Sequence, residues 1–461
     1  MTTSVAEAIA SWVAELRYEE LPPEVVSKAK QILLDTAGCA LGALEETPVR
    51  LARQVVREQG GTPQAFPIGQ SWKTSCEQAA FLNGMALRYL DFNDYASPGR
   101  PHHPSINVAP ALAVAQAQGL SGKELLLGIV VGYEVQLRLR DATANGKHEG
   151  WDHSSSVHYS AAALAGKLLG LPPSKIAHAI AIAGSHASTL AEVRGGKLSM
   201  WKGAAEPIGA RSGTFAALLA RAGLTGPLTI LEGKHGYGKV VAGALDEEVL
   251  RKRGNGFQIL KSCTKAWPCV FVAQAPIAAA LQLRNQGVLS EQVEEIVVGL
   301  SEFGYKNQER FSKEKISTRE NADHSVPYCV ARAILYGEVR WEDFEEEGFK
   351  DPRAEEVMKK IVLSHDPKLA AFLPEIVGAN LEVKLRSGKL LRAEVPYPPG
   401  HSRNPLSDGE VVKKFLSLAK NIMSEEQANK AVEVILNAEQ LTNLDRLADV
   451  LCPGPSIEQK P

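Results

Sequence analysis

Residues 90–107, LDFNDYASPGRPHHPSIN, place two carboxylates (Asp91, Asp94), a phenol (Tyr95) and two imidazoles (His102, His103) within thirteen positions. Carboxylates and imidazoles are the side chains that most often take and give protons near neutral pH. Pro98, Gly99, Pro101 and Pro104 stand among them. Proline fixes φ and has no amide hydrogen, so the stretch is read as an irregular, held loop. The run AAFLNGMALRYL before it reads as a helix that delivers Asp91 from its C-terminal end. The small, apolar run INVAPALAVAQAQGL after it reads as a buried helix. Acids and imidazoles on a loop between two core helices suit proton transfer. A helix-ending Asp and a solvated His pair would give the same pattern without chemistry.

Three further clusters stand at helix edges. They are Asp152 and His153 with nearby His158; Arg194, Lys197 and Lys202; and Asp323-His324 with Tyr328. If residues 323–328 are helical, His324 and Tyr328 share a face. Taken together the clusters suit a polycarboxylate. Lys and Arg bind its carboxylates, a His or Asp takes a proton from the carbon beside one, and a second acid protonates a leaving hydroxyl. Zinc is the competing use of His with Asp, but the imidazoles lack HExxH or a similar helical spacing. His158, His178 and His186 on small-residue helical faces read as structural, and His235 in KHGYG reads as a loop residue.

The elements that must position these groups are mostly helices. Residues 4–17, 23–44 and 75–90 carry helical patterns, with a short β-like stretch at Gln64–Ile68. The capping box Ser121-Gly-Lys-Glu124 opens a helix through about Arg140. An Ala-rich helix ends at Gly170 and another starts at Pro172-Pro173-Ser174. After Lys265-Ala-Trp-Pro268 the character changes. A helix over 273–286 is followed by a strand at Val293–Leu300, helices around 323–336 and 352–360, and a hairpin of Leu381–Leu385 and Leu390–Val395. This α+β pattern puts a boundary near 270. Capping boxes at Ser407–Glu410 and Ser424–Gln427 make the C-terminal part helical again. The expected organisation is therefore a helical domain over 1–270, an α+β lid over 271–404, and helices over 405–461 that rejoin the first domain.

The 461 residues carry 51 basic and 53 acidic side chains, so no charge excess argues for nucleic acid or a membrane surface. The longest apolar runs are too short to span a bilayer, and the first residues lack the layout of a signal peptide. Six scattered cysteines form no CxxC pair. Reduced thiols and a cytoplasmic location are the expectation.

The order and spacing of several fragments resemble the MmgE/PrpD family, which includes 2-methylcitrate dehydratases, cis-aconitate decarboxylases and an iminodisuccinate epimerase. The fragments are ILLDTAGCALGA (32–43), NGMALRYLDFND (83–94), HPS (103–105), GWDH (150–153), SMWKGAA (199–205), KAWP (265–268), NADHSVPY (321–328) and NPLS (404–407). The resemblance implies a mostly α fold with a large helical domain built from both chain ends, a smaller α+β lid, a homodimer, and neither cofactor nor metal. It implies catalytic roles for Asp91, His103, His153 and Tyr328. Substrate contacts are implied for Tyr95, Arg194, Lys197, Lys202, Lys265, Gln274 and His324. The family's site lysine falls within a residue or so of Lys197, so Lys197 and Lys202 are both candidates, and Tyr95 stands where threonine is usual. Gln274 stands where the decarboxylases tend to have histidine. The expected activity is dehydration of a hydroxylated tricarboxylate resembling 2-methylcitrate. The alternatives are decarboxylation or epimerisation of a related di- or tricarboxylate such as cis-aconitate, or a non-catalytic protein on the same fold.

Overall fold

A computed structural model describes residues 3–97, 102–147, 150–195, 198–254, 256–309, 316–372, 374–375 and 377–452. The first helices are α1 (Val5–Glu15), α2 (Pro23–Gly42), α3 (Thr47–Gln59) and α4 (Cys76–Tyr89). Then come α5 (Val108–Ala117), α6 (Gly122–Ala142), α7 (Ser155–Leu168), α8 (Pro173–Gly184), α9 (Ala205–Ala222) and α10 (Glu247–Arg251). Helix α11 (Gln274–Asn285) opens the second part, followed by α12 (Glu302–Glu309), α13 (Arg319–Ala322), α14 (Val326–Tyr336), α15 (Glu346–Phe349) and α16 (Pro352–Met358). The chain closes with α17 (Asp408–Ala419), α18 (Glu425–Leu436) and α19 (Asp445–Leu451). The fold is mostly α, with a small α+β part.

The local chemistry that sets these ends is visible. Ser4–Glu7, Ser121–Glu124, Ser407–Glu410 and Ser424–Gln427 all form reciprocal capping boxes. Small residues let helices approach. A Cβ on Gly213 of α9 would lie 2.5 Å from the His158 carbonyl oxygen of α7, so only glycine permits that contact. On α2, a Cβ on Gly42 would lie 2.8 Å from Leu418 of α17. The C-terminal helix α17 thus packs against α2, and Lys414 of α17 reaches Asp35 of α2 at 2.6 Å.

Strands β3 (Val293–Leu300), β4 (Ile361–His365), β5 (Ala379–Leu385) and β6 (Leu390–Val395) form one sheet in the order β4-β3-β5-β6. β3 and β4 are parallel, whereas β3–β5 and β5–β6 are antiparallel, with Ile296 opposite Val383 and Val383 opposite Leu391. A separate two-residue ladder pairs β1 (Tyr95–Ala96) with β2 (Ser262–Cys263), Tyr95 opposite Cys263. It ties the acidic loop to the segment that carries Lys265.

Four sequence expectations change. The stretch Gln64–Ile68 is not a strand; it makes a single bridge, Ala65 to Thr74. α3 was not anticipated, because TPVRLARQVVREQ buries only Pro48, Val49 and Val56. β4 was missed too: it is a half-exposed edge strand with no alternation in burial. The helix expected around 323–336 breaks at Asp323–Ser325, where the Ser325 hydroxyl caps α14 by accepting from the Tyr328 amide. His324 therefore precedes the helix and does not share a helical face with Tyr328.

Candidate active site

The C-terminal end of α4 supplies Arg88, and Asp91 follows three residues on. Asp91 has φ +50°, the only positive φ outside glycine among the described residues. Asp and Asn are the side chains that tolerate this region best. The turn places the Asp91 carboxylate among cations. Oδ1 accepts from Arg88 Nη1 and Lys265 Nζ, both at 2.7 Å, and Lys265 Nζ also donates to the Asp91 carbonyl at 2.6 Å. Oδ2 lies 3.3 Å from Lys202 Nζ and 3.4 Å from His324 Nε2.

Burial alone would push the Asp91 carboxyl up; the charges of Lys265, Lys202 and Arg88 overcome it and hold the group well below the usual carboxylate range. Lys265 is lowered too, but there burial wins: it pulls the ammonium down more than Asp91 raises it. The ion pairs prevail at Asp91 because three cations share it, while Lys265 has one anionic partner.

Asp94, three residues later, builds the loop and does not line the cavity. Its carboxylate accepts from the Ser105 amide at 3.0 Å, the Tyr133 hydroxyl at 2.7 Å and the Ser262 hydroxyl at 2.6 Å. Its carbonyl lies 2.7 Å from His103 Nδ1. A carbonyl only accepts, so Nδ1 carries the hydrogen and Nε2 is the bare nitrogen. Burial first, then the nearby Arg88 charge, lowers the His103 imidazole well below its usual value. Behind the loop, Lys414 donates to the Phe92 carbonyl at 2.7 Å and the Lys265 carbonyl at 3.0 Å.

The second half of the site comes from the start of α7 and the segment before α9. Arg194 Nε donates to Asp152 Oδ2 at 2.6 Å, and Asp152 also accepts from the Ser154 hydroxyl. Burial raises the Asp152 carboxyl, but Arg194 outweighs it and holds the group far below its usual range. His153 Nε2 lies 3.3 Å from Glu206 Oε1, and Glu206 Oε2 accepts from Arg88 Nε. Arg88 thus bridges Asp91 to Glu206 and joins the two halves. The His153 ring stands 5.2 Å from His102 and 5.6 Å from His103, centre to centre.

These groups face a cavity of about 400 Å³. Asp91, His103, His153, Arg194, Lys202, Lys265 and His324 line it, as do Arg88, His102 and Asp152. Trp151, Leu198, Val270, Phe271 and Phe303 give it an apolar wall.

Asp91, Asp323 and His324 bring three donors within 4.8 Å of one another, a spacing compatible with a metal ion. Lys202 Nζ already lies among them, 3.3 Å from Asp91 Oδ2, 3.0 Å from His324 Nδ1 and 3.7 Å from Asp323 Oδ1. An ammonium stands where a metal would have to, so this donor set does not fit one.

Three expected residues stand elsewhere. The Gln274 amide accepts from the Ala266 and Trp267 amides and donates to the Trp267 carbonyl, stapling the turn after Lys265. The Tyr328 hydroxyl donates to the Asp343 carbonyl and its ring packs on Phe344. The Tyr95 ring packs on Phe271, one layer behind the wall, with centres 5.5 Å apart. Lys197 lies outside the described residues. Sequence reasoning passed over Arg88, Glu206 and the role of His102. Arg88 had a signal, since it precedes Asp91 by three positions on a helix. Glu206 had none: it is one acid in a run of small residues.

The model of the MmgE/PrpD N-terminal domain matches residues 7–249, and that of the MmgE/PrpD C-terminal domain matches residues 267–440. The chain belongs to the MmgE/PrpD family. Family relatives align along nearly its whole length. A human cis-aconitate decarboxylase is 28% identical, covering 99% of this chain and 96% of the relative. A 2-methylcitrate dehydratase of Salmonella typhimurium is 26% identical, covering 93% of each. A cis-aconitate decarboxylase-like protein of Aspergillus oryzae is 26% identical over 96% of each. The two named chemistries stand at nearly the same distance from this family member. No described helix is long and apolar enough to cross a membrane.

Proposed function

We propose that the protein is a lyase that dehydrates a hydroxylated tricarboxylate resembling 2-methylcitrate, without a metal or organic cofactor. One observation carries the reading: a buried carboxylate–lysine cluster around Asp91 faces the same cavity as two imidazoles, His103 and His153, whose centres are 5.6 Å apart. Lys202, Lys265 and Arg194 bind substrate carboxylates in this reading. His103 or His153 takes the proton next to a carboxylate. A second group, imidazole or the Lys202 ammonium, gives a proton to the leaving hydroxyl. Asp91 holds the lysines in place. The apolar wall receives the aliphatic part of the substrate.

Dehydration needs both an acceptor and a donor of protons, and the paired imidazoles favour it over decarboxylation, which can proceed with a single donor. Gln274 plays no part in this choice, because its amide is spent on the 266–269 turn. We also read the chain as two bodies, a helical one from both chain ends and a lid over about 271–404, with the cavity drawing lining from both.

The test is a comparison of candidate acids with the purified protein. Formation of a conjugated double bond from 2-methylcitrate or a related hydroxy acid is followed by ultraviolet absorbance. Carbon dioxide release from cis-aconitate is measured in parallel. Faster carbon dioxide release than water loss from any hydroxy-tricarboxylate refutes the dehydratase reading in favour of decarboxylation.

A further inference from the structure

Glu206 sits in the first turn of α9, is 1% exposed and does not line the cavity. Its two oxygens have different surroundings. Oε2 accepts from Arg88 Nε. Oε1 is buried and accepts no aligned hydrogen bond from any described residue, yet His153 Nε2 stands 3.3 Å from it. Burial pushes the Glu206 carboxyl up, but the Arg88 charge outweighs burial and holds it well below the usual range, so the group is ionised. A buried carboxylate oxygen without a donor is costly. A small turn of the imidazole would aim an Nε2 hydrogen at it.

We propose that Glu206 is a positioning residue that holds the hydrogen of His153 on Nε2 and so leaves Nδ1 of that ring as the proton acceptor of the site. The consequence for turnover rests on the dehydration reading; the hydrogen's position does not. One charged group facing the ring competes with this: Arg194 Nη2, aligned at 3.3 Å, donates to Nε2 when that nitrogen is bare. Asp152 Oδ2 lies 3.6 Å from Nδ1, beyond a hydrogen bond but close enough to favour a positive charge arriving there. Arg194 Nη2 also donates to Asp152 Oδ1 at 3.3 Å and its Nε to Asp152 Oδ2 at 2.6 Å, so the guanidinium keeps its acceptors when Nε2 carries the hydrogen. The rings of His102 and His103 close the remaining sides. His103 has its own hydrogen on Nδ1, held by the Asp94 carbonyl.

In the reaction, His153 Nδ1 takes the proton from the carbon beside a carboxylate. The C–H electron pair becomes the second bond of the alkene, and the C–O bond breaks. The hydroxyl leaves with its electron pair and departs as water with a proton from the Lys202 ammonium. The imidazolium then lies between Asp152 and Glu206, both negative, which stabilise it. Its proton returns to Lys202 through solvent, and the site is reset.

Glu206→Gln tests the assignment at constant size. Arg88 Nε requires an oxygen, so the amide turns its NH₂ toward His153 and the ring hydrogen moves to Nδ1. Nitrogen-15 NMR of the unliganded protein reads the tautomer, with His153→Gln identifying the signal. The expected result is Nε2–H in the native protein and Nδ1–H in the variant. With it, kcat falls by roughly a hundredfold or more at little-changed KM, the size of a misdirected base. A native His153 with its hydrogen on Nδ1, or the same tautomer in both proteins, overturns the proposal. If Glu206→Gln does not fold, Glu206→Asp draws the carboxylate back from the ring while keeping Arg88 paired. A native-like His153 signal in that variant also overturns it. Because the NMR uses no substrate, a tautomer that responds to Glu206 in a protein lacking dehydratase turnover refutes the reaction and leaves the positioning role standing.

Discussion

Asp91→Asn isolates the charge at the centre of the cluster. Asparagine tolerates φ +50° as aspartate does, so the backbone is not the variable. After the change, Arg88 keeps Glu206, and Lys202 keeps His324 at 3.0 Å and Asp323 at 3.7 Å. Lys265 does not have such a reserve. It is fully buried, and its remaining contacts are the Asp91 carbonyl at 2.6 Å and a neutral amide oxygen in place of the carboxylate. One buried charge therefore loses its counter-ion. Removing one partner of a buried pair costs about 3–5 kcal/mol, and the surviving carbonyl puts this case near the lower end, about 3 kcal/mol. That is roughly a hundredfold in the folding equilibrium. Lys265→Met in the Asp91→Asn background removes the orphaned charge and should restore about 2 kcal/mol of it. Equilibrium urea unfolding followed by circular dichroism measures all four members of the cycle. Asp91→Asn within about 0.5 kcal/mol of the native protein, or no recovery from the second change, would refute the reasoning.

His103→Ala should lower kcat by roughly two to four orders of magnitude, with His102→Ala much milder; turnover is counted per folded molecule, since His103 is buried and bonded to Asp94. In acid, the stabilisation from Asp91, Asp152 and Glu206 is complete above the unfolded carboxylate pKa of about 4, because all three are held lower in the fold. It is lost as pH falls through those lower values, so the acid-unfolding midpoint lies below about pH 4 and Asp91→Asn flattens the slope there, as a fluorescence titration will report. Gln274→Ala should lower the unfolding midpoint by the loss of its turn staple, about 1–3 kcal/mol, and leave the ratio of water loss to carbon dioxide release unchanged; a changed product ratio would place Gln274 in the chemistry.

The α-rich architecture, the capping boxes and the hairpin were legible because each is written in neighbouring residues; the expected loop between Asp91 and His103 includes residues 98–101, which lie outside the described residues. Local signals of this kind are capping pairs, prolines and periodicity. The direction of a side chain is not. Gln274, Tyr328 and Tyr95 lie in segments that border the cavity, yet their polar ends turn to backbone or to a second layer. Which way they turn is decided by partners in other elements, such as Asp343 for Tyr328 and Phe271 for Tyr95. The His324–Tyr328 pairing failed for a local reason: Ser325 caps a new helix between them. The Arg88–Glu206 bond joins residues 118 positions apart. Only tertiary packing brings them together, so no spacing rule could reveal it.

Lys414 sets a timetable. It lies on α17, and its ammonium holds the carbonyls of Phe92 and Lys265 from behind. During synthesis the loop that bears Asp91 leaves the ribosome more than three hundred residues before the side chain that braces it. Until then the Phe92 and Lys265 carbonyls lack that donor. A chain cut short before α17 would keep every described residue that lines the cavity and lack the ammonium that braces two of its segments.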